Sequence, residues 1–279
     1  MMTTRQLLAD ATGKLEDAGC GTPRIDAEVL LMHAWDIDKA RLVIRMDDQP
    51  NSEVIHTFQT MVQRRQKREP VAYITGEKEF WSRGFHVSPE VLVPRPETEH
   101  LIEAVLEKYP DQGVPCRFCD IGTGSGCIAV TLACEYPQAE VIATDISDTA
   151  LSIAQGNAKR HGVEDRVSFH HGDLFEPLIN TDKAFDAIVC NPPYVARDEY
   201  SQLEPELNFE PRTALTDEAD GLRYLGQLIE LAPAYLKPDG RLIVETGLCG
   251  LPEGSSAMQL EQKIFDLAGI LRGGIYFSH

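Results

Sequence analysis

The sequence contains no run of 18 or more consecutive apolar residues, so it predicts no membrane-spanning helix. Residues 1–6 lack the apolar core of a signal peptide, and we therefore expect the protein to stay in the cytosol. The overall composition is ordinary for a soluble globular protein, because 43% of the 279 residues are hydrophobic and 25% are charged. This length accommodates one large domain and one small domain.

Basic residues are scarce, with 26 Lys and Arg against 44 Asp and Glu. Residues 1–70 are nearly balanced at 10 against 11, whereas the remainder carries 16 against 33. Nonspecific affinity for nucleic acid comes mainly from Lys and Arg that neutralise phosphates, so we expect no direct nucleic-acid partner. The only basic cluster, residues 64–68, is interpreted as the solvated end of a helix, with contact to a partner as the alternative.

The cysteines do not form a recognisable metal or disulfide pattern. Their number is odd, seven, and most lie within apolar segments, which is typical of reduced, buried side chains. Cys116 and Cys119 form one CxxC pair, but no second pair is near it in the sequence. Because a structural zinc ion requires four ligands, we predict no metal site.

A glycine-rich segment, Gly-Thr-Gly-Ser-Gly at residues 122–126, lies between an apolar strand pattern and a helical one. Glycines permit a tight turn and close approach of a ligand to the backbone, as in nucleotide-type cofactor sites. The segment lacks the Walker lysine and does not match GxGxxG, so it does not favour a pyrophosphate ligand. An ordinary turn between strand and helix is the alternative.

Three acidic residues follow or end strand patterns in this half of the chain. Asp120 precedes the glycine segment, Asp145 ends the next strand about 20 residues after it, and Asp173 follows a third strand. Such carboxylates at the carboxyl edge of a sheet suit a cofactor with hydroxyls, an amine and a sulfonium charge rather than a phosphate. Each of them could instead cap a helix.

The most informative motif is Asn191-Pro192-Pro193-Tyr194, which follows the apolar run at residues 185–190. Prolines have no N–H to donate, so the strand cannot continue its hydrogen-bonded ladder here. Asn191 and the carbonyl group of Pro192 can accept both hydrogens of a planar NH₂ group, while Tyr194 covers its face. The motif therefore indicates transfer chemistry at an amide or amino nitrogen, and the mechanism needs alignment of the reacting groups rather than a dedicated base.

Together these elements resemble the class I methyltransferases that depend on S-adenosyl-L-methionine. Residues 76–81, 93–99 and 209–215 resemble, more narrowly, the protein-(glutamine-N5) methyltransferases that modify the Gly-Gly-Gln loop of peptide chain release factors. The resemblance implies that the donor is bound by Asp120, Gly122, Thr123, Gly124, Gly126, Asp145, Ile146, Asp173, Leu174, Phe175 and Asn191. It implies that the acceptor glutamine is bound by Arg95, Glu99, Asn191, Pro192, Pro193, Tyr194 and Glu210, of which Asn191, Pro192 and Tyr194 are catalytic. Residues 95–99 could instead form a rigid turn that caps a helix.

The predicted fold class is α/β, a doubly wound and mostly parallel seven-stranded sheet preceded by a helical bundle and a β-hairpin. We place a substrate-recognition bundle at residues 1–70, a hairpin linker at 71–94 and the catalytic domain at 95–279. The bundle could alternatively be a cap that stabilises the larger domain. Strands are expected near 116–121, 139–145, 166–171, 185–190 and 240–245, with a short, weaker pair after 269. Residues 195–222 are interpreted as a lid over the glutamine.

The alternatives for the activity are an adenine-N6 nucleic-acid methyltransferase, a small-molecule N-methyltransferase, and a protein that binds the donor without turnover. The first must grip a phosphate backbone and flip its base, which an acidic catalytic domain disfavours. A binding protein would be favoured by a substitution in the Asn-Pro-Pro-Tyr motif, and the motif is intact. We expect the protein to act as a monomer.

Overall fold

The computed structural model describes residues 2–179 and 184–278, and the chain forms two compact units. The first contains Met1–Glu77 together with Glu204–Phe209, and the second contains Lys78–Leu203 together with Glu210–His279. The domain boundaries expected at residues 70 and 94 stay a prediction. None of the helices in the described ranges is long and apolar enough to cross a membrane.

The first unit is helical because its apolar residues recur at helical spacing behind good capping residues. Thr3 forms a capping box with Gln6, and the side chain of Asn51 accepts a hydrogen bond from the N–H of Val54 at 2.9 Å. The apolar side chains of these helices form one buried cluster that includes Leu8 and Phe58. The helices of this unit are α1 Thr4–Asp17, α2 Pro23–Trp35, α3 Lys39–Ile44, α4 Ser52–Gln66 and α5 Val71–Thr75.

The basic cluster lies at the end of α4, as expected, and Lys67 is exposed, but the expectation that the cluster is solvated was wrong for Arg65 and Arg68. Arg65 is only 5% exposed, and its Nε lies 2.7 Å from Oδ2 of Asp26. Both Arg65 and Arg68 also pair with Glu206, at 2.9 Å and 2.6 Å. These charges are internal to the unit because the segment Glu204–Phe209, part of the region interpreted as a lid, belongs to it.

The second unit contains a seven-stranded sheet in the order β5-β4-β3-β6-β7-β9-β8. Pairs among β3 to β7 are parallel, and β9 pairs antiparallel with both β7 and β8. A two-stranded hairpin, β1 Glu77–Phe80 with β2 Arg83–His86, precedes it, as predicted. The strands of the large sheet are β3 Arg117–Ile121, β4 Glu140–Asp145, β5 Val167–His171, β6 Phe185–Cys190, β7 Leu236–Glu245, β8 Met258–Phe265 and β9 Leu271–Ser278.

Helices cover both faces of this sheet, which is why its central strands are apolar throughout. Phe118 and Cys119, neighbours in β3, belong to two separate hydrophobic clusters because side chains alternate between the faces of a strand. One cluster includes α6 to α8, and the other includes α11. The helices of this unit are α6 Glu99–Lys108, α7 Cys127–Glu135, α8 Asp148–Arg160, α9 Arg197–Tyr200, α10 Arg212–Leu215 and α11 Arg223–Leu231.

The end of the chain corrects one expectation. The last two strands are not short, and they do not both follow residue 269, because β8 and β9 have eight residues each and β8 begins at Met258. They join at a turn where Oδ1 of Asp266 accepts hydrogen bonds from the N–H groups of Ala268 and Ile270. The signal that was missed is the alternation of buried and exposed side chains from Met258 onward, which is typical of an antiparallel strand at a sheet edge.

Candidate active site

The Gly-Thr-Gly-Ser-Gly segment forms a tight loop between β3 and α7. Gly122, Gly124 and Gly126 have φ angles of 73°, 54° and 81°, in the left-handed region that favours glycine. A Cβ atom on Gly126 would lie 2.9 Å from Cβ of Ala154, so that glycine allows close packing of the loop on α8. A Cβ atom on Gly122 or Gly124 would meet no atom within 4 Å, so the space beside these two residues is open to a ligand.

Asp145 at the end of β4 lies next to this loop. Its Oδ2 accepts a hydrogen bond from the N–H of Gly124 at 2.9 Å, and its Oδ1 accepts one from Ser147 at 2.9 Å. Burial raises the pKa of this carboxyl group above its usual value, while the hydrogen bonds oppose the shift. Asp145 does not cap α8, because the N-cap residue is Ser147. Ile146, which follows it, is exposed.

Asp120 is fully buried beneath the loop. Its Oδ2 accepts hydrogen bonds from the hydroxyl of Thr123 at 2.6 Å and from the N–H of Ala129 at 3.1 Å, so it braces the loop against α7. Its Oδ1 has no hydrogen-bond partner among the described residues. Burial raises its pKa to about 7. A buried oxygen without a partner is a candidate for contact with a polar group of a ligand at the loop.

The segment after β5 places three predicted residues in different surroundings. Asp173 is exposed, and Leu174 is half-buried with a φ of 46°. Phe175 is buried in the core, where its ring stacks on Tyr235 with a centroid distance of 4.7 Å. The structure therefore leaves Asp173 accessible, whereas the ring of Phe175 contributes to packing.

The Asn-Pro-Pro-Tyr motif begins directly after β6. Nδ2 of Asn191 donates to Oγ1 of Thr98 at 3.0 Å, and the hydroxyl of Tyr194 donates to Oε1 of Glu245 at 2.9 Å. Thr98 itself donates to Oε2 of Glu245 at 2.6 Å. Pro192 is buried and Pro193 is half-buried. One carboxylate is therefore linked to both polar side chains of the motif, directly to Tyr194 and through Thr98 to Asn191.

Tyr194 is also positioned by glycines. A Cβ atom on Gly247 would lie 2.6 Å from Cδ2 of the tyrosine ring, and one on Gly221 would lie 2.4 Å from its carbonyl oxygen. Only residues without a side chain allow the backbone to come this close on both sides. Burial and the neighbouring Glu245 carboxylate raise the pKa of Tyr194, so its hydroxyl stays protonated and acts as a donor.

The segment Arg95 to Glu99 forms a 3-10 turn, Pro96–Thr98, that leads into α6. Nη2 of Arg95 lies 2.5 Å from Oε1 of Glu210, which is 5% exposed. Glu99 accepts a hydrogen bond from the N–H of Trp81 at 2.7 Å. Trp81 and Ser82 have φ angles of 52° and 56°, as in a type I′ hairpin turn. These contacts agree with a rigid turn at this point and tie Arg95, Glu99 and Glu210 into the structure.

Three residues of the site were missed from the sequence. Thr98 and Glu245 hold the Asn-Pro-Pro-Tyr motif, and Asn157 donates from Nδ2 to the carbonyl of Ser125 at 2.8 Å and so supports the glycine loop. Asn157 lies on the apolar face of α8. A polar residue on such a face, and an acid at the end of the apolar strand β7, are the signals that point to them.

The site is formed by loops at the carboxyl ends of β3, β4, β5, β6 and β7. Ligands bind at this edge in sheets of this kind. Open space beside Gly122 and Gly124, the Asp145 carboxylate and the unpartnered oxygen of Asp120 fit a donor that carries ribose hydroxyls and an amino group. No group of three or more His, Cys, Asp or Glu residues that could hold a metal occurs within residues 2–179 and 184–278.

Comparison with known proteins gives two family matches, the PrmC N-terminal domain over residues 6–76 and a methyltransferase domain over residues 114–266. The chain is 44% identical over 241 residues to a release factor glutamine methyltransferase of Xylella fastidiosa, with 86% of this chain and 84% of that protein covered. It is 42% identical over 267 residues to a bifunctional methyltransferase of Rickettsia conorii, which covers 87% of this chain. The chain spans 51% of that longer protein.

A solved structure agrees on the fold. The hMettl16 catalytic domain in complex with MAT2A 3'UTR hairpin 1 matches with a TM-score of 0.57 and 16% identity, and the match covers 81% of this chain and 80% of that one. At this identity the likeness shows the fold alone.

The sheet order and the site define a class I methyltransferase, an enzyme that uses S-adenosylmethionine as methyl donor. The chain belongs to the release factor glutamine methyltransferase family, as its identity to the Xylella fastidiosa protein and its N-terminal domain establish. The predicted family, fold class, enzyme class and donor are thereby confirmed. The roles assigned to individual site residues stay predictions.

Proposed function

We propose that the enzyme methylates the side-chain amide nitrogen of the glutamine in the Gly-Gly-Gln loop of peptide chain release factors. The observation that carries this proposal is the hydrogen bond from Nδ2 of Asn191 to Thr98. With its NH₂ group bound there, Asn191 offers its carbonyl oxygen as an acceptor, which suits a substrate that presents N–H groups. The names of the relatives, release factor glutamine methyltransferases, support the same substrate.

The donor is held, in this proposal, between the glycine loop and the ends of β4 and β5. Gly122 and Gly124 give access to the backbone, Asp145 accepts the ribose hydroxyls, and Asp173 with Leu174 borders the adenine. Bound S-adenosylmethionine supplies an electrophilic methyl group. The loop residues have no chemical step to perform, so their contribution is to fix the donor relative to the Asn-Pro-Pro-Tyr motif.

The nitrogen to be methylated is a weak nucleophile, because the lone pair of an amide nitrogen is delocalised into its carbonyl group. The residues that bind the acceptor glutamine therefore contribute by aligning this nitrogen. Asn191 and the carbonyl group of Pro192 accept the two N–H hydrogens, which fixes the nitrogen and stabilises the positive charge that it gains. Tyr194 lies against the amide plane and sets the direction of approach. Arg95, Glu99 and Glu210 shape the entrance through the contacts described above. The proton leaves to water after transfer.

The remaining assignments belong to the same proposal. Residues 1–70 form a platform that recognises the release factor, residues 195–222 cover the glutamine, and the enzyme acts as a monomer in the cytosol without direct contact to nucleic acid. The charge of the chain, −18, supports the last point because it repels phosphates.

The test is a methylation assay with a labelled methyl donor, a purified release factor, and a variant factor in which the glutamine of the loop is replaced by alanine. The proposal expects label on the intact factor only, at the glutamine, located by peptide mass spectrometry. A parallel reaction with cell lysate treated with nuclease or protease identifies the labelled class of molecule. Label on nucleobases would support the adenine-N6 alternative and refute the glutamine assignment.

A further inference from the structure

Glu245 joins two of the residues that are proposed to bind the acceptor glutamine. It is the last residue of β7 and is 1% exposed. Its Oε2 accepts the hydroxyl of Thr98 at 2.6 Å, and its Oε1 accepts the hydroxyl of Tyr194 at 2.9 Å. Thr98 in turn accepts Nδ2 of Asn191 at 3.0 Å. One buried carboxylate is thus connected to both polar side chains of the Asn-Pro-Pro-Tyr motif.

The direction of these hydrogen bonds follows from the number of protons available. A threonine hydroxyl has a single proton, and an ionised carboxylate can only accept. The proton of Thr98 is therefore committed to Glu245, and the oxygen of Thr98 can only accept from its other neighbour. That neighbour is Asn191, which must therefore direct its NH₂ group rather than its carbonyl oxygen toward Thr98. The charge on Glu245 is in this way transmitted through Thr98 to the orientation of the Asn191 amide.

We propose that Glu245 and Thr98 are positioning residues that determine which atom of Asn191 faces the acceptor. With Glu245 ionised, the amide oxygen of Asn191 is directed away from Thr98 and is available to an incoming N–H group. The second oxygen of Glu245 holds the Tyr194 ring through its hydroxyl. The inference rests on the proposed function, since only an acceptor that donates N–H groups requires this orientation.

Protonation of Glu245 would reverse the direction of the hydrogen bonds from Thr98 to Glu245 and from Asn191 to Thr98. A protonated carboxyl donates to Thr98, whose own proton then points to Asn191, so that the amide rotates and directs its NH₂ group toward the acceptor. Burial raises the pKa of Glu245 to about 7. The orientation therefore changes within an accessible pH range. The titratable and charged groups around the carboxyl group are Glu97, Cys127, Cys190, Tyr194 and Arg272, the last paired with Asp266.

The kinetic test uses the full-length enzyme, a release factor and variants matched in size. Glu245→Gln leaves one acceptor for the two hydroxyls of Thr98 and Tyr194, so one of these hydrogen bonds is lost or reversed and kcat should fall about 100-fold, as for the loss of one oriented hydrogen bond in a transition state. The affinity for S-adenosylhomocysteine, measured by calorimetry, should stay within about two-fold, because no donor contact changes. Thr98→Val removes the hydroxyl at nearly constant volume and should lower kcat, whereas Thr98→Ser keeps it and should restore most of the rate.

The pH profile separates orientation from mere structural support. For the wild type and Thr98→Ser, kcat at saturating substrates should fall as the pH decreases below about 7, since Glu245 becomes protonated. In Thr98→Val the link to Asn191 is broken, so this dependence on pH should flatten. Equal kcat for the valine and serine variants, or an unchanged acid limb in Thr98→Val, would overturn the proposal.

A second readout needs no substrate. In protein labelled with ¹⁵N-asparagine, the side-chain NH₂ resonance of Asn191 is assigned by its loss in Asn191→Asp. One of its protons should be protected from solvent exchange in the wild type and in Thr98→Ser, and unprotected in Thr98→Val. This exchange measurement tests the hydrogen bonds among Glu245, Thr98 and Asn191 without methylation of the release factor. If protection is seen but the wild type does not methylate the release factor, the proposed function alone is wrong. Lack of protection in the wild type would contradict the chain itself.

Discussion

Arg95 and Glu210 are 115 residues apart in the chain, yet Nη2 of Arg95 lies 2.5 Å from Oε1 of Glu210. The other oxygen of Glu210 accepts the N–H of Val93 at 3.1 Å. The pair joins two of the segments on which the resemblance to release factor methyltransferases rests. The Glu210 side chain is 1% exposed and that of Arg95 is 31% exposed, so the carboxylate depends on this partner more than the guanidinium does.

Replacement of Arg95 by alanine should destabilise the protein by about 1–3 kcal/mol, because it leaves a buried charged acceptor with one partner fewer. Arg212→Ala is the matched control. Its pair with Glu218 is exposed on both sides, at 54% and 47%, so its loss should lower the free energy of unfolding less than the loss of Arg95 does. Unfolding in urea measures both free energies. Equal losses in the two variants would show that burial of Glu210 is unimportant.

Asp145→Asn should weaken donor binding without abolishing turnover. Hydrogen bonds to a charged acceptor contribute about 1.5–3 kcal/mol, so the affinity for S-adenosylhomocysteine should fall roughly 10- to 100-fold. At a saturating donor concentration kcat should stay close to that of the wild type. Asp148→Asn, an exposed change three residues further on, is the control and should bind normally. An unchanged affinity in Asp145→Asn would remove this residue from the donor site.

Asn191→Ala should lower the rate of methyl transfer rather than the affinity for the donor. Loss of an acceptor that stabilises developing charge lowers kcat by about 10²–10³-fold, whereas the donor affinity should fall less than in Asp145→Asn, even though the resemblance also places Asn191 beside the donor. Single-turnover methylation and calorimetry distinguish the two effects. If Asn191→Ala loses donor affinity but retains its rate at saturating donor, Asn191 binds the donor and the role assigned to it here is wrong.

Gly247→Ala tests the position of the Tyr194 ring. The added Cβ atom would lie 2.6 Å from Cδ2 of that ring, so the ring must move. A displacement of this kind should lower kcat/KM by about 10- to 100-fold, since alignment of the reacting groups is sensitive to shifts of about 1 Å. Gly226→Ala in α11 is the control, because its Cβ atom would meet nothing within 4 Å. That change should leave the activity intact and stabilise the helix by about 0.5–1 kcal/mol. If both variants are fully active, the tyrosine does not need this position.

Asp120 should make stability depend on pH in the direction opposite to most carboxylates. Its pKa in the folded protein is raised to about 7 from an ordinary value of 3.8, so between these values the folded chain binds more protons than the unfolded chain. The free energy of unfolding therefore falls as the pH rises from about 4 to about 7, by an amount on the order of a few kcal/mol. Urea unfolding across this range should show a smaller fall in Asp120→Asn. A variant with the same pH dependence as the wild type would contradict the assignment.

The features predicted from sequence are those set by local backbone chemistry. Glycines at residues 122, 124 and 126 require positive φ angles, prolines at 192 and 193 end a strand, and apolar spacing identifies helices and strands. These signals placed the glycine loop, the Asn-Pro-Pro-Tyr motif and the central strands correctly. They failed for β8, where a strand that is polar on one face was not recognised.

Contacts between distant residues were not predictable in this way. The expectation that the basic cluster is solvated failed at Arg65, because this side chain is buried and pairs with Asp26 and Glu206, which lie far from it in the chain. Thr98 and Glu245 meet across 147 residues, and although Thr98 belongs to the segment at residues 93–99, nothing in that segment identifies Glu245 as its partner. Such pairs carry no local signature, since hydrogen bonding and burial depend on which strand ends become neighbours.

The amino-acid sequence alone indicated the sheet class and the residues at the strand ends, because these follow from periodicity and backbone sterics, and it indicated the family through the resemblance of residues 76–81, 93–99 and 209–215 to known methyltransferases. Tertiary structure decided how those residues are held. The partner of Arg95, the carboxylate that binds Thr98 and Tyr194, and the raised pKa values of Asp120 and Glu245 all arise from packing. A carboxyl group loses its hydration and gains its hydrogen-bond donors only when the sheet has assembled around it. Its pKa therefore depends on the tertiary structure.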